Sequence, residues 1–364
     1  MRVGVPREIK NHEYRVGLTP ASVAELTRAG HDVVVETGAG MGIDLEDAAY
    51  IAAGAAIVAD AAAVFAGSDM IVKVKEPQPS EIALLGPHHL LFTYLHLAAD
   101  KPQALGLMAS GATCIAYETV TARDGSLPLL KPMSEVAGRM SVQVGAHYLE
   151  KEQGGRGILL GGVPGVPPAR VAILGGGVSG VNAAQMAVGM RADVTIYDIN
   201  NARLAELDMF FSSQIKTAYA SSAVIADAVR EAHLVIGAVL VPGAAAPKLV
   251  TREMLKTMKR GTVLVDIAID QGGCFETSHA TTHDDPVFEV DGIIDYCVAN
   301  MPGAVPRTSA FALNNATLPF VLKLANHGAS AAMKADAHLA NGLNVSGGKI
   351  RHQAVADALD LPMN

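Results

Sequence analysis

The sequence lacks the features that mark several common classes of protein. Its 364 residues include three cysteines, far apart and with no C-x-x-C pair, which favours a reducing cytoplasm over a disulfide framework. The formal net charge is −8 and no basic block stands out, so nucleic acid is not an expected partner. Gly54 and Asp60 interrupt the Ala-rich segment 48–66, so no membrane span is expected, and the charged start MRVGVPREIKNHEYR is unlike a signal peptide.

What the chain does contain is enough apolar sequence for a large core. Aromatic residues make up only 4%, but half of the residues are hydrophobic, which is enough to form a large core. A chain of this length is expected to form two domains. Short apolar runs alternate with helical segments such as TPASVAELTRAG, in which Thr19 is placed to cap, Pro20 opens the first turn and Gly30 ends the helix. This alternation predicts an α/β fold with largely parallel sheets and helices on both faces.

The alternation occurs in two series. The predicted strands are, in chain order, Val3–Val5, Asp32–Glu36, Met70–Lys75, Leu90–Leu95 and Thr113–Tyr117, then Val171–Leu174, Val194–Tyr197, Leu234–Gly237, Val263–Ala268 and Ile293–Val298. A helix at 134–152 and a Gly- and Pro-rich loop at 154–170 separate the series. From about Pro306 to the C-terminus the pattern predicts helix. We therefore expect two domains with a cleft between them, at 1–130 plus 307–364 and at 131–306.

A glycine-rich turn opens the second series. Gly175, Gly177 and Gly180 have the G-x-G-x-x-G spacing, after the predicted strand Val171–Leu174 and before an Ala-rich helix. In this context the first glycine permits a tight turn, the second permits close approach of a pyrophosphate, and the third permits close packing of helix on strand. The Gly-Lys-Ser/Thr of a Walker A loop is absent, which disfavours nucleotide hydrolysis. The turn therefore predicts dinucleotide binding, and the simpler alternative is a tight connection without a ligand.

An acidic residue follows at the distance expected for a dinucleotide site. Asp198 ends the strand DVTIYD, 18 residues after the third glycine, where a carboxylate can accept hydrogen bonds from the ribose hydroxyls. The same carboxylate would repel a 2′-phosphate, so NAD is predicted rather than NADP, although Arg203 leaves some tolerance for NADP. The alternative is that Asp198 only caps the next helix.

Polar residues lie at the ends of several predicted strands, where ligands bind in open α/β sheets. Lys75 ends one such strand, His96, Asp270 and Asn300 follow others, and Arg15 lies in a loop near the N-terminus. Simpler interpretations exist: a solvated cation, a hydrogen-bonded core histidine, or a turn-forming aspartate before two glycines. The histidines at 88, 89, 279 and 283 lack ligand spacing, so no metal is expected, and no G-x-S-x-G motif indicates a serine nucleophile.

Four of these residues jointly fit one reaction of a nicotinamide enzyme. A 2-amino or 2-oxo acid needs one cation for its carboxylate and a second to polarise its carbonyl or imine, which Arg15 and Lys75 would supply. Proton transfer near neutral pH suits His96. A carboxylate beside the nicotinamide could orient ammonia or water and stabilise a cationic iminium, which suits Asp270.

Sequence blocks along the whole chain resemble the family of bacterial alanine dehydrogenases. These blocks are VGVPREIKNHEYRVGLTP, KVKEP, YLHLA, PMSEVAGRMS, VLVPGAAAP, LVDIAIDQGGCFE and YCVANMPGAVPRTS. The resemblance implies two Rossmann-like domains, with the cofactor domain inserted in the middle of the chain, assembled as a cytoplasmic homohexamer. It also implies reversible, NAD-dependent oxidative deamination of L-alanine to pyruvate and ammonia.

The resemblance assigns roles to individual residues. Arg15, Lys75 and Asn300 match substrate-binding positions, and His96 and Asp270 match the acid/base and the second catalytic residue. The positions that match cofactor contacts are Ser134, Gly175, Gly177, Val178, Gly180, Asp198, Arg203, Val239, Leu240, Ile267, Val298 and Met301. Two positions depart from the family, since Ala220 stands where Ser is common and Arg203 where Lys is frequent, and each departure alters a contact expected for the adenosine.

The implied mechanism begins with hydride transfer from the alanine Cα. Water adds to the resulting iminium and the carbinolamine collapses to pyruvate and ammonia, while His96 moves protons and Asp270 holds the amine and the water. Two alternatives are the NAD(H)-binding subunit of a proton-translocating transhydrogenase, which has no small substrate, and a saccharopine-type amino acid dehydrogenase, which takes a larger one. The complete set of Arg15, Lys75, His96 and Asp270 favours the alanine dehydrogenases.

Overall fold

The computed structural model describes residues 1–239 and 246–363. Within them the chain forms fifteen strands, β1 (Arg2–Val5), β2 (Asp32–Glu36), β3 (Ala56–Val58), β4 (Met70–Val72), β5 (Leu90–Thr93), β6 (Thr113–Ala116), β7 (Arg170–Leu174), β8 (Asp193–Asp198), β9 (Lys216–Tyr219), β10 (Leu234–Gly237), β11 (Val263–Asp266), β12 (Val287–Val290), β13 (Ile293–Tyr296), β14 (Leu343–Ser346) and β15 (Lys349–Ile350). The helices of the same residues are α1 (Pro20–Arg28), α2 (Asp47–Ala52), α3 (Ala61–Ala66), α4 (Pro79–Ile82), α5 (Lys101–Ser110), α6 (Lys131–Tyr148), α7 (Val178–Gly189), α8 (Asn201–Phe211), α9 (Ser222–Glu231), α10 (Arg252–Leu255), α11 (Pro306–Ala335), α12 (Ala337–Ala340) and α13 (Gln353–Leu359).

The chain divides into two compact units. The first unit comprises Met1–Met133 and the chain from Val305 onward, and the second comprises Ser134–Ala304. The first unit contains a sheet of strand order β15-β14-β6-β5-β4-β1-β2-β3. Strands β1 to β6 of this sheet pair in parallel, whereas β14 is antiparallel to both β6 and β15. Helices and sheet enclose a core that includes Phe65, Leu91 and Val345.

The second unit contains a sheet of order β12-β13-β11-β10-β7-β8-β9. All of its strand pairs are parallel except that β12 runs antiparallel to β13. Its core includes Val235, Leu264 and Phe275. In the first sheet β2 and β3 lie on one side of β1, and β4 to β6 lie on its other side. The second sheet repeats this order, with β8 and β9 on one side of β7 and β10 and β11 on the other. The α/β prediction is thus confirmed, with the correction that each sheet is mixed because of antiparallel edge strands.

Several predicted elements are reproduced closely, and the differences have local causes. Helix α1 begins at Pro20, with the Thr19 side chain accepting from the Ser22 N–H at 3.5 Å, as the capping pattern predicts. The prediction of helix to the C-terminus is wrong, because β14 and β15 form a hairpin. Gly347 and Gly348 form its turn with φ of 59° and 73°, the left-handed pair that a two-residue hairpin turn requires. No helix of the described residues is long and apolar enough to cross a membrane.

A buried charge cluster fixes the strand ends of the first unit. The Lys73 ammonium is fully buried and pairs with Glu8 at 3.1 Å and with Glu81 at 2.7 Å. Glu8 also accepts from the Val74 N–H at 2.7 Å, and Glu81 accepts from the Gln78 N–H at 2.8 Å. Burial alone would lower the pKa of Lys73, but the two carboxylates outweigh that effect and raise it. The Lys73 ammonium therefore links the loop after β1 and helix α4 to the end of β4.

Removing this cation is expected to destabilise the protein. Lys73→Met leaves two buried carboxylates without a counter-charge, so the free energy of unfolding should fall by about 3–5 kcal/mol. Lys256→Met is the matched control, because Lys256 makes one exposed ion pair with Glu253 at 2.6 Å, and it should change stability by about 0.5 kcal/mol or less. Urea unfolding followed by circular dichroism measures both, and equal stability of the two variants would contradict the account.

Candidate functional site

Three of the predicted site residues follow adjacent strands of the first unit. Arg15 lies in the loop after β1, Lys75 lies after β4 and His96 lies after β5. Because β1, β4 and β5 are parallel neighbours, their carboxyl ends share one edge of the sheet. This edge includes the point between β1 and β4 where the strand order reverses, which is where open α/β sheets bind ligands. All three residues therefore lie beyond the carboxyl ends of neighbouring strands.

The Arg15 guanidinium is buried and oriented by Glu13. Its Nε and Nη2 donate to the two carboxylate oxygens of Glu13 at 2.7 and 2.5 Å, its Nη1 approaches the Met133 sulfur at 3.0 Å, and only 2% of Arg15 is exposed. Burial alone would raise the pKa of the Glu13 carboxyl, but Arg15 and Lys75 outweigh it and hold the pKa below its usual value. The planar bidentate pair fixes the plane of the guanidinium before any ligand arrives.

Lys75 is the second cation of this edge. It is 9% exposed, and its backbone carbonyl accepts from the Thr93 hydroxyl at 2.9 Å. Burial alone would raise the pKa of the Glu13 and Glu76 carboxyls, but the positive charge of Lys75 is among the effects that hold both pKa values below their usual range. The prediction that its strand extends to Lys75 is wrong, since β4 ends at Val72.

His96 is exposed and stands on a strained backbone. Its φ of 51° and ψ of 36° lie in the left-handed region, which costs a non-glycine residue about 1–2 kcal/mol. The Glu118 carboxylate accepts from the backbone N–H of His96 at 2.6 Å and of Leu95 at 3.2 Å. The His96 ring stacks on Tyr94, with ring centroids 5.8 Å apart and an interplanar angle of 10°. Tyr94 is itself fixed, because its hydroxyl donates to the Leu129 carbonyl at 2.5 Å.

The glycine-rich turn of the second unit has the geometry of a phosphate-binding loop. Gly175 has φ of 106°, and a Cβ on Gly180 would lie 1.9 Å from the Gly175 carbonyl oxygen, so both positions require glycine. A Cβ on Gly177 would meet no atom of the described residues within 4 Å. Helix α7 begins at Val178, and Gly177 before it offers no side chain to cap the first N–H groups. These amides at a helix N-terminus suit an anion such as a pyrophosphate.

Asp198 and Arg203 hold the middle of this turn. Asp198 accepts from the Gly176 N–H at 2.7 Å and from the Asn200 N–H at 2.8 Å, while Arg203 Nε donates to the Gly176 carbonyl at 2.8 Å. Each carboxylate oxygen retains a second lone pair for a further donor. Arg203 also pairs with Glu206 at 2.7 Å. Asp198 thus shapes the turn and remains suited to accept from ribose hydroxyls.

The other residues predicted for the second unit lie mostly at the carboxyl ends of its central strands. Val239 follows β10, Ile267 and Asp270 follow β11, and Val298, Asn300 and Met301 follow β13, while Ser134 is on helix α6. Leu240 lies outside the described residues. Val298 and Met301 are buried, Asn300 is half-buried with φ of 68°, and Asp270 is exposed.

The two aspartates near β11 differ in environment. Asp266 is fully buried at the end of the strand, whereas Asp270 is exposed on a short 3-10 turn at Ile269–Gln271. The prediction that this strand continues to Ala268 is wrong, because the Asp266 carboxylate accepts from the Ala268 N–H at 3.0 Å and bends the chain there. Asp266 is therefore the aspartate that needs hydrogen-bond partners inside the protein, whereas Asp270 is exposed.

Three residues that shape the site were not predicted from the sequence, namely Glu13, Tyr94 and Glu118. Glu118 had a usable signal, because it follows the predicted strand Thr113–Tyr117 as the other candidates follow theirs. Glu13 lies two residues before Arg15, and such proximity does not by itself indicate an ion pair. Among the described residues, no group of three or more His, Cys, Asp or Glu side chains is arranged to hold a metal.

Comparison with known proteins gives a consistent result over the whole chain. The family model described as alanine dehydrogenase/PNT, N-terminal domain, matches residues 4–137, and that of the C-terminal domain matches residues 141–353. The alanine dehydrogenase of Halomonas elongata is 59% identical over 361 residues, which are 99% of this chain and 97% of the relative. A solved structure titled L-alanine dehydrogenase is 54% identical with a TM-score of 0.96 and covers 99% of each chain. A transhydrogenase structure from Sinorhizobium meliloti is 27% identical with a TM-score of 0.83, covering 97% of this chain and 100% of that one.

The glycine turn yields a paired prediction on dinucleotide binding. Gly177→Ala adds a methyl group with no atom of the described residues within 4 Å, so the melting temperature should stay within about 2 °C. The same methyl group would occupy the approach of the pyrophosphate, so NADH binding should weaken at least about tenfold. Gly180→Ala should instead lower the melting temperature, since its methyl collides with the Gly175 carbonyl. Fluorescence titration with NADH and thermal unfolding separate the two effects. Unchanged NADH affinity of Gly177→Ala would contradict this assignment.

Proposed function

The chain belongs to the alanine dehydrogenase/PNT family, and on that premise we propose that it catalyses the reversible, NAD-dependent oxidative deamination of L-alanine to pyruvate and ammonia. Full-length identity of 59% to one alanine dehydrogenase and 54% to the solved structure of another supports this function. The transhydrogenase alternative has weaker support, since its match is 27% identical.

The observation that carries the proposal is the group of Arg15, Lys75 and His96 at neighbouring strand ends. The buried Arg15 guanidinium and the nearly buried Lys75 follow the neighbouring strands β1 and β4, and the exposed His96 follows β5, the next strand of the sheet. Two cations and an imidazole are the set that a small 2-oxo or 2-amino acid requires.

Arg15 is proposed to bind the substrate carboxylate. Its orientation by Glu13 means that little conformational entropy is lost when the substrate pairs with it. Lys75 is proposed to donate to the carbonyl oxygen of pyruvate and to the hydroxyl of the carbinolamine, stabilising negative charge that develops on that oxygen. Asn300 is proposed as a further polar contact to the substrate.

His96 and Asp270 are the proposed catalytic residues. His96 is proposed to take a proton from the water that adds to the iminium carbon and to return it as ammonia departs, which is the general acid–base chemistry that histidine most often performs in enzymes. The Tyr94 ring stacks on the imidazole, and the Glu118 carboxylate accepts from the backbone N–H of His96. Asp270 is proposed to orient the amine and the water through its carboxylate and to stabilise the iminium charge.

NAD is the proposed cofactor, and bound nicotinamide would supply the hydride acceptor for the substrate Cα–H bond. The open approach at Gly177 and the uncapped start of α7 fit a pyrophosphate, and Asp198 fits a ribose with a 2′-hydroxyl rather than a 2′-phosphate. The remaining residues proposed to contact the cofactor are Ser134, Gly175, Val178, Gly180, Arg203, Val239, Leu240, Ile267, Val298 and Met301.

The proposal assigns the substrate carboxylate to the first unit and the cofactor to the second. It also includes assembly as a cytoplasmic homohexamer, which rests on the resemblance to the alanine dehydrogenase family. Light scattering after size-exclusion chromatography measures the subunit number directly.

The function is tested by mixing the protein with NADH, pyruvate and ammonium and following absorbance at the NADH band. The unaltered chain should oxidise NADH only when both co-substrates are present. His96→Ala and Asp270→Asn should each lower kcat by about 10²–10⁴-fold, because each removes a proton-transfer or charge-stabilising group, while NADH affinity is retained.

His147→Ala is the matched control, because His147 is exposed on helix α6 outside the proposed site, and its turnover should be normal. Near-normal turnover by either His96→Ala or Asp270→Asn would show that the role of that residue is assigned wrongly. If the unaltered chain does not oxidise NADH in the presence of pyruvate and ammonium, the proposed reaction is wrong.

A further inference from the structure

The turn that carries Asp270 lies between two opposite charges. It runs from Ala268 to Phe275 and contains two left-handed glycines, Gly272 with φ of 85° and Gly273 with φ of 75°. Within the turn, the N–H groups of Gln271, Gly272 and Gly273 donate to the carbonyls of Ala268 and Ile269. The carbonyl groups of Gly272 and Gly273 need partners from outside the turn.

On the inner side, Asp266 accepts hydrogen bonds from backbone N–H groups of the turn. Its buried carboxylate accepts from the backbone of Ala268 at 3.0 Å and of Cys274 at 2.8 Å, and from the Ser278 hydroxyl at 2.5 Å. A Cβ on Gly273 would lie 2.5 Å from the carboxylate oxygen, so only glycine lets the turn approach Asp266 this closely. The inner half of the turn is fixed by one negative charge.

On the outer side, Lys248 donates hydrogen bonds to backbone carbonyl groups of the turn. Its ammonium donates to the backbone oxygens of Gly272 at 2.5 Å, Gly273 at 2.8 Å and Phe275 at 3.0 Å, which uses all three of its N–H bonds. The segment that supplies Lys248 is also hydrogen-bonded to the turn, since the Leu249 N–H donates to the Cys274 carbonyl at 2.8 Å. Three carbonyl dipoles that converge on one point repel each other unless a cation lies between them.

We propose that Lys248 is a positioning residue for Asp270. The Lys248 ammonium outside and the Asp266 carboxylate inside bind opposite ends of the Gly273–Cys274 peptide group, so the turn is fixed there and the exposed Asp270 side chain projects from a rigid base. Lys248 does not touch the substrate in this scheme and acts only through the turn. The inference rests on the proposed catalytic role of Asp270.

Three variants test the inference in the full-length protein. Lys248→Met removes the charge and all three donors at similar length, and Lys248→Arg retains a cation with several N–H donors. Lys256→Met is the control, because Lys256 is exposed on the same unit and its ammonium pairs with the Glu253 side chain at the protein surface. The readouts are kcat and KM for L-alanine, the dissociation constant for NADH, and the melting temperature.

Lys248→Met should lower kcat by about 10- to 100-fold, since small displacements of a catalytic group have effects of this size, while NADH affinity stays within about twofold. Lys248→Arg should recover most of the lost kcat, and Lys256→Met should behave like the unaltered chain. A purely structural role would lower the melting temperature and leave kcat unchanged well below that temperature. Normal kcat in Lys248→Met would therefore overturn the inference.

Asp270→Asn, measured alongside, separates this inference from the function on which it rests. If Asp270→Asn loses turnover and Lys248→Met does not, the role of Lys248 is wrong and that of Asp270 stands. If Asp270→Asn keeps normal turnover, both assignments fail together.

Discussion

The loops beyond the strand ends depend on carboxylates that accept backbone N–H groups. Glu118 accepts from His96, Glu13 from Arg15, Asp198 from Gly176, and Asp266 from Ala268 and Cys274. Where a strand stops, its peptide groups lose the partners that the sheet provided, and an N–H left unpaired inside the protein costs about 1–3 kcal/mol. A carboxylate satisfies several such groups at once. Irregular backbone can therefore be rigid at the positions where ligands bind.

This constraint links the fold to the proposed chemistry. In the first unit, the side chains with proposed catalytic or binding roles differ from the carboxylates that hold the backbone, whereas Asp198 in the second unit is proposed to do both. Arg15 is oriented by a residue two positions away, and His96 is held in a left-handed conformation by Glu118 from the neighbouring strand end. A reaction that requires a guanidinium, an ammonium and an imidazole at set distances gains from loops that do not have to be ordered on binding.

Much of this architecture could be predicted from the sequence because parallel strands leave apolar runs of regular spacing, and because the glycine spacing at 175–180 has only a few structural solutions. The proposed roles of Arg15, Lys75 and His96 followed from their places after strands. The antiparallel hairpin β14–β15 was not foreseen, although SGGK is a hairpin signal. The pairing of Lys248 with the carbonyls at 272–275 has no sequence signal at all, since it depends on three backbone groups that converge only when the turn is folded.

The central claim is that a carboxylate bonded to the backbone holds the catalytic imidazole of an alanine-oxidising site. The most direct measurement is kcat for L-alanine oxidation by Glu118→Ala, made together with a titration of NADH. The account predicts that kcat falls by about 100-fold, because the left-handed backbone at His96 relaxes and the ring leaves its position, while NADH affinity is unchanged. A variant that oxidises alanine as fast as the unaltered chain would contradict it.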